Sequence, residues 1–87
     1  MKPGEDLIEQ GILDLENDRE TIPSLLVSIG APRLRRIGLP IPPKTFSNPE
    51  HRLYQLLCEK YDNAAHSKYN SYIRRLVSFE RAAECGL

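Results

Sequence analysis

Eighty-seven residues with 12 basic and 12 acidic side chains make a small chain of zero formal charge, which excludes a partner for nucleic acid or an anionic membrane that works through bulk charge. Hydrophobic residues at 40% and charged ones at 28% describe a folded chain rather than a disordered one. No apolar run approaches the ~20 residues of a membrane span, so no membrane partner is expected.

A chain of this length is expected to form a single helical domain over residues 1–87, burying only ~60–65% of its unfolded surface. Tryptophan is absent and methionine occurs once, at the start, so the core falls to Leu, Ile, Val, Tyr and Ala. Two cysteines, Cys58 and Cys85, are too sparse for a small secreted scaffold. The opening residues turn acidic where a signal peptide turns apolar, and the expected location is the cytoplasm, with reduced thiols. The charge is unevenly spread. Residues 1–30 carry two basic and seven acidic side chains, and residues 31–48 carry four basic and none acidic.

Residues 5–16 read as a short helix with Ile8, Ile12 and Leu15 on one face, Leu7 beside them, and Glu5 and Asp6 in a first turn that favours anions. Gly11 is either a weak spot or a point of close approach by another helix. Asp14, Glu16 and Asp18 have the wrong sign for a helix C-terminus, so fraying is expected near Asn17.

A second helix starts at Thr21 as N-cap, with Pro23 tolerated in the first turn. Leu25, Leu26, Val27 and Ile29 mark it as buried, and Gly30 suits the position that closes it. Residues 33–37, between Pro32 and Gly38, then read as a separate short helix after a bend. A strand over residues 25–29 is the alternative, since a short apolar run fits either.

Residues 39–47, with three prolines in four positions, read as a Pro-rich extended connector that lays Leu39, Ile41 and Phe46 on the core. Asn48 as N-cap, Pro49 as first residue and Glu50 in the first turn mark the clearest helix start. Leu53, Leu56, Leu57 and Tyr61 form its apolar face. Asp62 and Asn63 read as a break, with Asp62 capping the next helix; without the break, residues 49–85 would be one rod. The last helix is expected from Ala64 to Glu84, ending at Gly86. The fold class is all-α, a small bundle of three to five helices.

In that last helix Ala65, Tyr69, Tyr72, Leu76, Phe79 and Ala83 recur at steps of four and three and share one face, widened by Ile73 and Val77. The face is either intramolecular core or an interface for a partner helix. On the opposite side Ser67, Ser71, Arg74, Ser78 and Arg81 line up, flanked by Lys68 and Arg75. Small hydroxyls and arginines suit a phosphate backbone as well as they suit solvent, although Glu80 and Glu84 nearby would repel phosphate. The densest basic cluster, Arg33, Arg35 and Arg36, is expected to be neutralised by the acidic first helix.

His51, Cys58, His66 and Cys85 have no metal-binding spacing, so no metal or other cofactor is expected. Asp62 and His66 stand four apart, which fits a helix start better than a catalytic pair, and no catalytic residue is assigned. The expected function is a small non-catalytic interaction module, an adaptor, subunit or inhibitor, whose partner is another protein or a second copy in a homodimer. Its contacts would be Tyr69, Tyr72, Leu76 and Phe79 if the apolar face is exposed, and Arg33, Arg35 and Arg36 otherwise. The alternative is a helical nucleic-acid-binding protein using Arg33, Arg35, Arg36, Lys68, Arg74, Arg75 and Arg81.

Overall fold

A computed structural model describes residues 2–86. Four α-helices follow one another: α1 (Glu5–Glu16), α2 (Ile22–Ile37), α3 (Pro49–Tyr61) and α4 (Ala65–Cys85), with a single 3-10 turn (Asp62–Ala64) between the last two. Among the described residues there is no strand, so the segment 25–29 is helix. The radius of gyration is 12.4 Å, close to the ~12 Å expected for a compact chain of this length.

Where α1 ends, the expected fraying is replaced by a sealed terminus. Asp18 adopts φ 57, and this left-handed residue lets the Arg19 N–H reach the Asp14 carbonyl at 2.8 Å and the Asp18 N–H reach that of Leu15 at 3.0 Å. Nor does Asp14 crowd the end with surplus charge. Its buried carboxylate accepts from Thr21 Oγ1 at 2.6 Å and from Gln10 Nε2 at 3.0 Å, which ties α1 to the start of α2.

Thr21 caps α2 in a reciprocal arrangement: its hydroxyl accepts from the Ser24 N–H, and the Ser24 hydroxyl accepts from the Thr21 N–H. The helix then runs unbroken through Gly30 and Pro32 to Ile37, which corrects the expected bend between two short helices. Register is the reason. Continuing at 3.6 residues per turn keeps Val27, Ala31 and Leu34 on one line, and all three are buried. Burying Leu34 beyond the proline is worth ~1.5–3 kcal/mol, comparable to the ~3 kcal/mol cost of an interior proline. Gly30 is there for packing, because a Cβ on it would come within 2.8 Å of Leu76 Cδ1 in α4. Gly38, at φ 107, is the residue that closes the helix.

Gly11 plays the matching part in α1. A Cβ there would strike the Pro23 carbonyl oxygen and the Val27 methyl, so the glycine is the point where α2 approaches α1 closely. Packed against α1, α3 and α4 in turn, α2 is the centre of the fold. Leu25, Leu26, Val27 and Leu34 of α2 meet Ile8 of α1, Leu53 and Leu57 of α3, and Leu76 and Phe79 of α4 in one core.

Between α2 and α3, Ile41 is buried and Leu39 and Phe46 are half-buried against that core. The Phe46 N–H donates to Ser28 Oγ at 3.3 Å. Asn48 occupies the N-cap position of α3, but in a left-handed conformation (φ 48), and among the described residues its side chain makes no cap hydrogen bond. The break at Asp62 is present, with Asp62 at φ 50. It does not act as the expected cap: the residue before α4 is Ala64, and no side-chain cap is found there among the described residues.

Candidate interaction surface on the last helix

The two faces of α4 lie in different surroundings. On the inner face Ala65, Leu76, Phe79 and Ala83 are buried, Leu76 and Phe79 each only 4% exposed. Tyr69 and Tyr72 lie half-buried beside them against α3. The rings of Tyr54 and Tyr69 pack edge to face with centroids 5.6 Å apart. Burial pushes the Tyr69 phenol above its ordinary value, with Glu50 adding to the effect. Burial does the same for Tyr72, assisted by Tyr61. The apolar stripe is therefore largely the chain's own core, and the condition under which Leu76 and Phe79 would serve as contacts is not met.

The basic cluster of α2 is divided among separate tasks. Arg33 donates from Nε to Glu84 Oε1 at 2.5 Å, and its Nη1 lies 3.4 Å from Glu80 Oε1. Arg35 donates from Nη2 to the Pro42 carbonyl at 2.6 Å, fastening the connector. Arg36 is exposed, beside Arg33 and Glu84. For Arg33 the expected neutralisation by α1 is thus replaced by pairing with α4, since the flank of α2 that carries Gly30 and Arg33 is the one packed on α4.

That pairing decides the charge of the outer face. Burial raises the Glu80 carboxyl above its ordinary value, with Arg33 opposing, whereas the hydrogen bond from Arg33 lowers that of Glu84. Glu80 is buried, and both acids that α4 carries are turned toward Arg33. Lys68, Arg74, Arg75 and Arg81 remain exposed, with Ser67 and Ser78 between them and Ser71 partly covered. Along the axis this basic surface spans about 20 Å from Lys68 to Arg81. Two of its cations also lie over aromatic rings, Lys68 Nζ 4.9 Å from the Tyr61 centroid and Arg75 Cζ 5.5 Å from that of Tyr72.

The opposite charge lies on α1. Asp6, Glu9, Leu13 and Glu16 share an exposed stripe, and Leu13 in its middle is 51% exposed. Among the described residues none of these three acids has an ion-pair partner.

Two features escaped sequence reasoning. The first is an open groove of about 520 Å3, with Leu7, Ile22, Pro23, Leu56 and Tyr72 on its walls and Glu20, Glu59 and Lys60 at its rim. Its one sequence signal was Leu7, left beside the main face of α1. The second is the two-point pair of Arg52 with Glu20, at 2.5 and 3.1 Å, in which the hydrogen bond from Arg52 lowers the Glu20 carboxyl. The 32 residues that separate the two leave no local pattern.

Asp62 and His66 are both exposed, and His66 Nε2 lies 3.3 Å from Asn70 Nδ2. Among the described residues no hydrogen bond joins Asp62 to His66, and no three His, Cys, Asp or Glu side chains are placed to hold a metal ion. Cys58 and Cys85 are free and exposed. No helix among the described residues is long and apolar enough to cross a membrane. Comparison with known protein families, with curated proteins and with solved structures finds no match.

Proposed function

We propose that the chain is a small non-catalytic protein-interaction module, an adaptor, subunit or inhibitor, that docks an acidic protein surface through the outer face of α4. One observation carries this reading: Arg33 engages both acids of α4, so Lys68, Arg74, Arg75 and Arg81 form a cationic surface on a rigid helix. Arginine held on a rigid element makes short charge-assisted hydrogen bonds to carboxylates at small cost in side-chain order. In this reading the Pro-rich connector, residues 39–47, is a structural tie held by Arg35 and not a contact surface.

A labelled polyglutamate peptide tests the proposal. Its fluorescence anisotropy should rise on adding the protein at about 50 mM salt and fall back at about 200 mM, because the contact is exposed and screened. The double variant Arg74→Glu/Arg81→Glu should abolish the rise. Binding that the variant leaves unchanged, or no binding at low salt, would refute the reading.

The same surface supports a second reading, a nucleic-acid-binding protein. It is favoured by the pairing of Glu80 and Glu84, which removes the repulsion they would otherwise exert on phosphate. Against it stands the zero net charge of the chain. A DNA duplex bound more tightly than polyglutamate, with a salt dependence flattened by Arg74→Glu/Arg81→Glu, would decide for nucleic acid.

A further inference from the structure

We infer that the acidic face of α1 is the counterpart of the basic face of α4, so that copies of this chain associate head to tail, α1 of one on α4 of the next. The inference rests on the reading of α4 as a contact surface and names its partner. Charge complementarity is the argument. Asp6, Glu9 and Glu16 are exposed on α1, Lys68, Arg74, Arg75 and Arg81 are exposed on α4, and among the described residues the two groups form no ion pair with each other within one chain.

The stripes also match in length and shape. From Asp6 to Glu16 the acidic stripe runs about 15 Å, and the basic one about 20 Å. On α4 the cations lie in two rows, Arg74 with Arg81 and Lys68 with Arg75, on either side of Ser67, Ser71 and Ser78. On α1 the exposed Leu13 stands between Glu9 and Glu16 on one flank and Asp6 on the other. Laid across α4, Leu13 meets the low row of serines while the acids of α1 meet the cations. Covering Leu13 in such a contact also removes apolar surface from water.

The two patches are different surfaces, so the contact is heterologous and propagates unless a ring closes. It is a single helix on a single helix, in the size class of weak, transient contacts, and its strength depends on salt.

The test is the weight-average mass in sedimentation equilibrium at rising concentration. At about 50 mM salt the wild-type mass should climb above 9.9 kDa, and at about 500 mM it should return to that value. Two charge-reversed proteins, Glu9→Lys/Glu16→Lys and Arg74→Glu/Arg81→Glu, should each stay monomeric alone: the first turns the α1 face net positive, since two added lysines outweigh Asp6, and the second leaves the α4 face without net charge, since two added glutamates cancel Lys68 and Arg75. Mixed in equal amounts they should associate again, since the unaltered α1 of the second fits the unaltered α4 of the first. Circular dichroism checks that both remain helical. A wild type that stays at 9.9 kDa, a variant that still associates alone, or a mixture that does not recover each overturns head-to-tail association. If polyglutamate binding to α4 survives that outcome, the contact surface stands and its partner is a different protein; if it is lost too, both readings fall.

Discussion

One glycine and two glutamates show how single residues position the helices. Alanine in place of a helical glycine normally gains about 1 kcal/mol of propensity. At Gly11 that gain is outweighed, because the new methyl meets the backbone of Pro23, which cannot move without shifting α2. Gly11→Ala should therefore destabilise the fold by ~1–3 kcal/mol in urea unfolding, the range for overpacking. Glu80 makes a prediction about pH. Burial raises its carboxyl, so the folded chain holds that proton more tightly than the unfolded chain does. Its contribution to stability is complete below the ordinary carboxylate range and is lost as pH rises through the raised value. Glu84 has the opposite sign: Arg33 lowers its carboxyl, and its contribution is present at neutral pH and lost in acid. Relative to wild type, Glu80→Gln should thus gain stability from mildly acid to neutral pH, while Glu84→Gln should lose it. Parallel trends for the two variants would contradict the division of roles around Arg33.

Among the elements, α2 is the one that local rules misread. Gly30 followed by Pro32 is a stop signal in isolation, yet the helix passes through both because its buried line continues beyond them. Pro32 is exposed and gives no N–H to the helix. Pro32→Ala should therefore raise stability by ~2 kcal/mol, the helix gain less the added freedom of the unfolded chain. A neutral or destabilising result would argue for a real bend there. The joint of Asp14 and Thr21 is the other point at which elements are tied. Asp14→Ala leaves the Thr21 hydroxyl without its acceptor and should cost ~1–3 kcal/mol, far more than a surface aspartate would.

Legibility divides along the same line. Residues 5–16, the Asn48–Pro49 start and the break at Asp62 were readable because the signal and the structure lie within a few residues of each other. The course of α2 was not, because what holds it is burial against α1, α3 and α4 together, elements spread over the whole chain. The cations of the candidate surface were readable from their helical spacing. What makes that surface basic, the pairing of Arg33 with Glu80 and Glu84, was not, because it joins residues 47 and 51 positions apart.

In the whole molecule, the apolar stripe of α4 and the basic stripe opposite it have different fates, and this separation supports the functional reading. The inner stripe is spent on the core: Phe79→Ala should cost ~3–5 kcal/mol, a large share of the ~5–10 kcal/mol that holds a domain of this size together. The outer stripe costs the fold little, and reversing Arg74 and Arg81 should change stability by no more than ~0.5 kcal/mol per site. A surface so cheap to alter is free to be used for contact. Amide chemical-shift mapping during titration with polyglutamate, at low salt, would place the contact. Shifts gathered between residues 67 and 81, strongest near Arg74, Ser78 and Arg81 and fading as salt is added, are the expected result. Shifts centred on residues 33–36, or spread evenly over the chain, would contradict the assignment of α4 as the working surface.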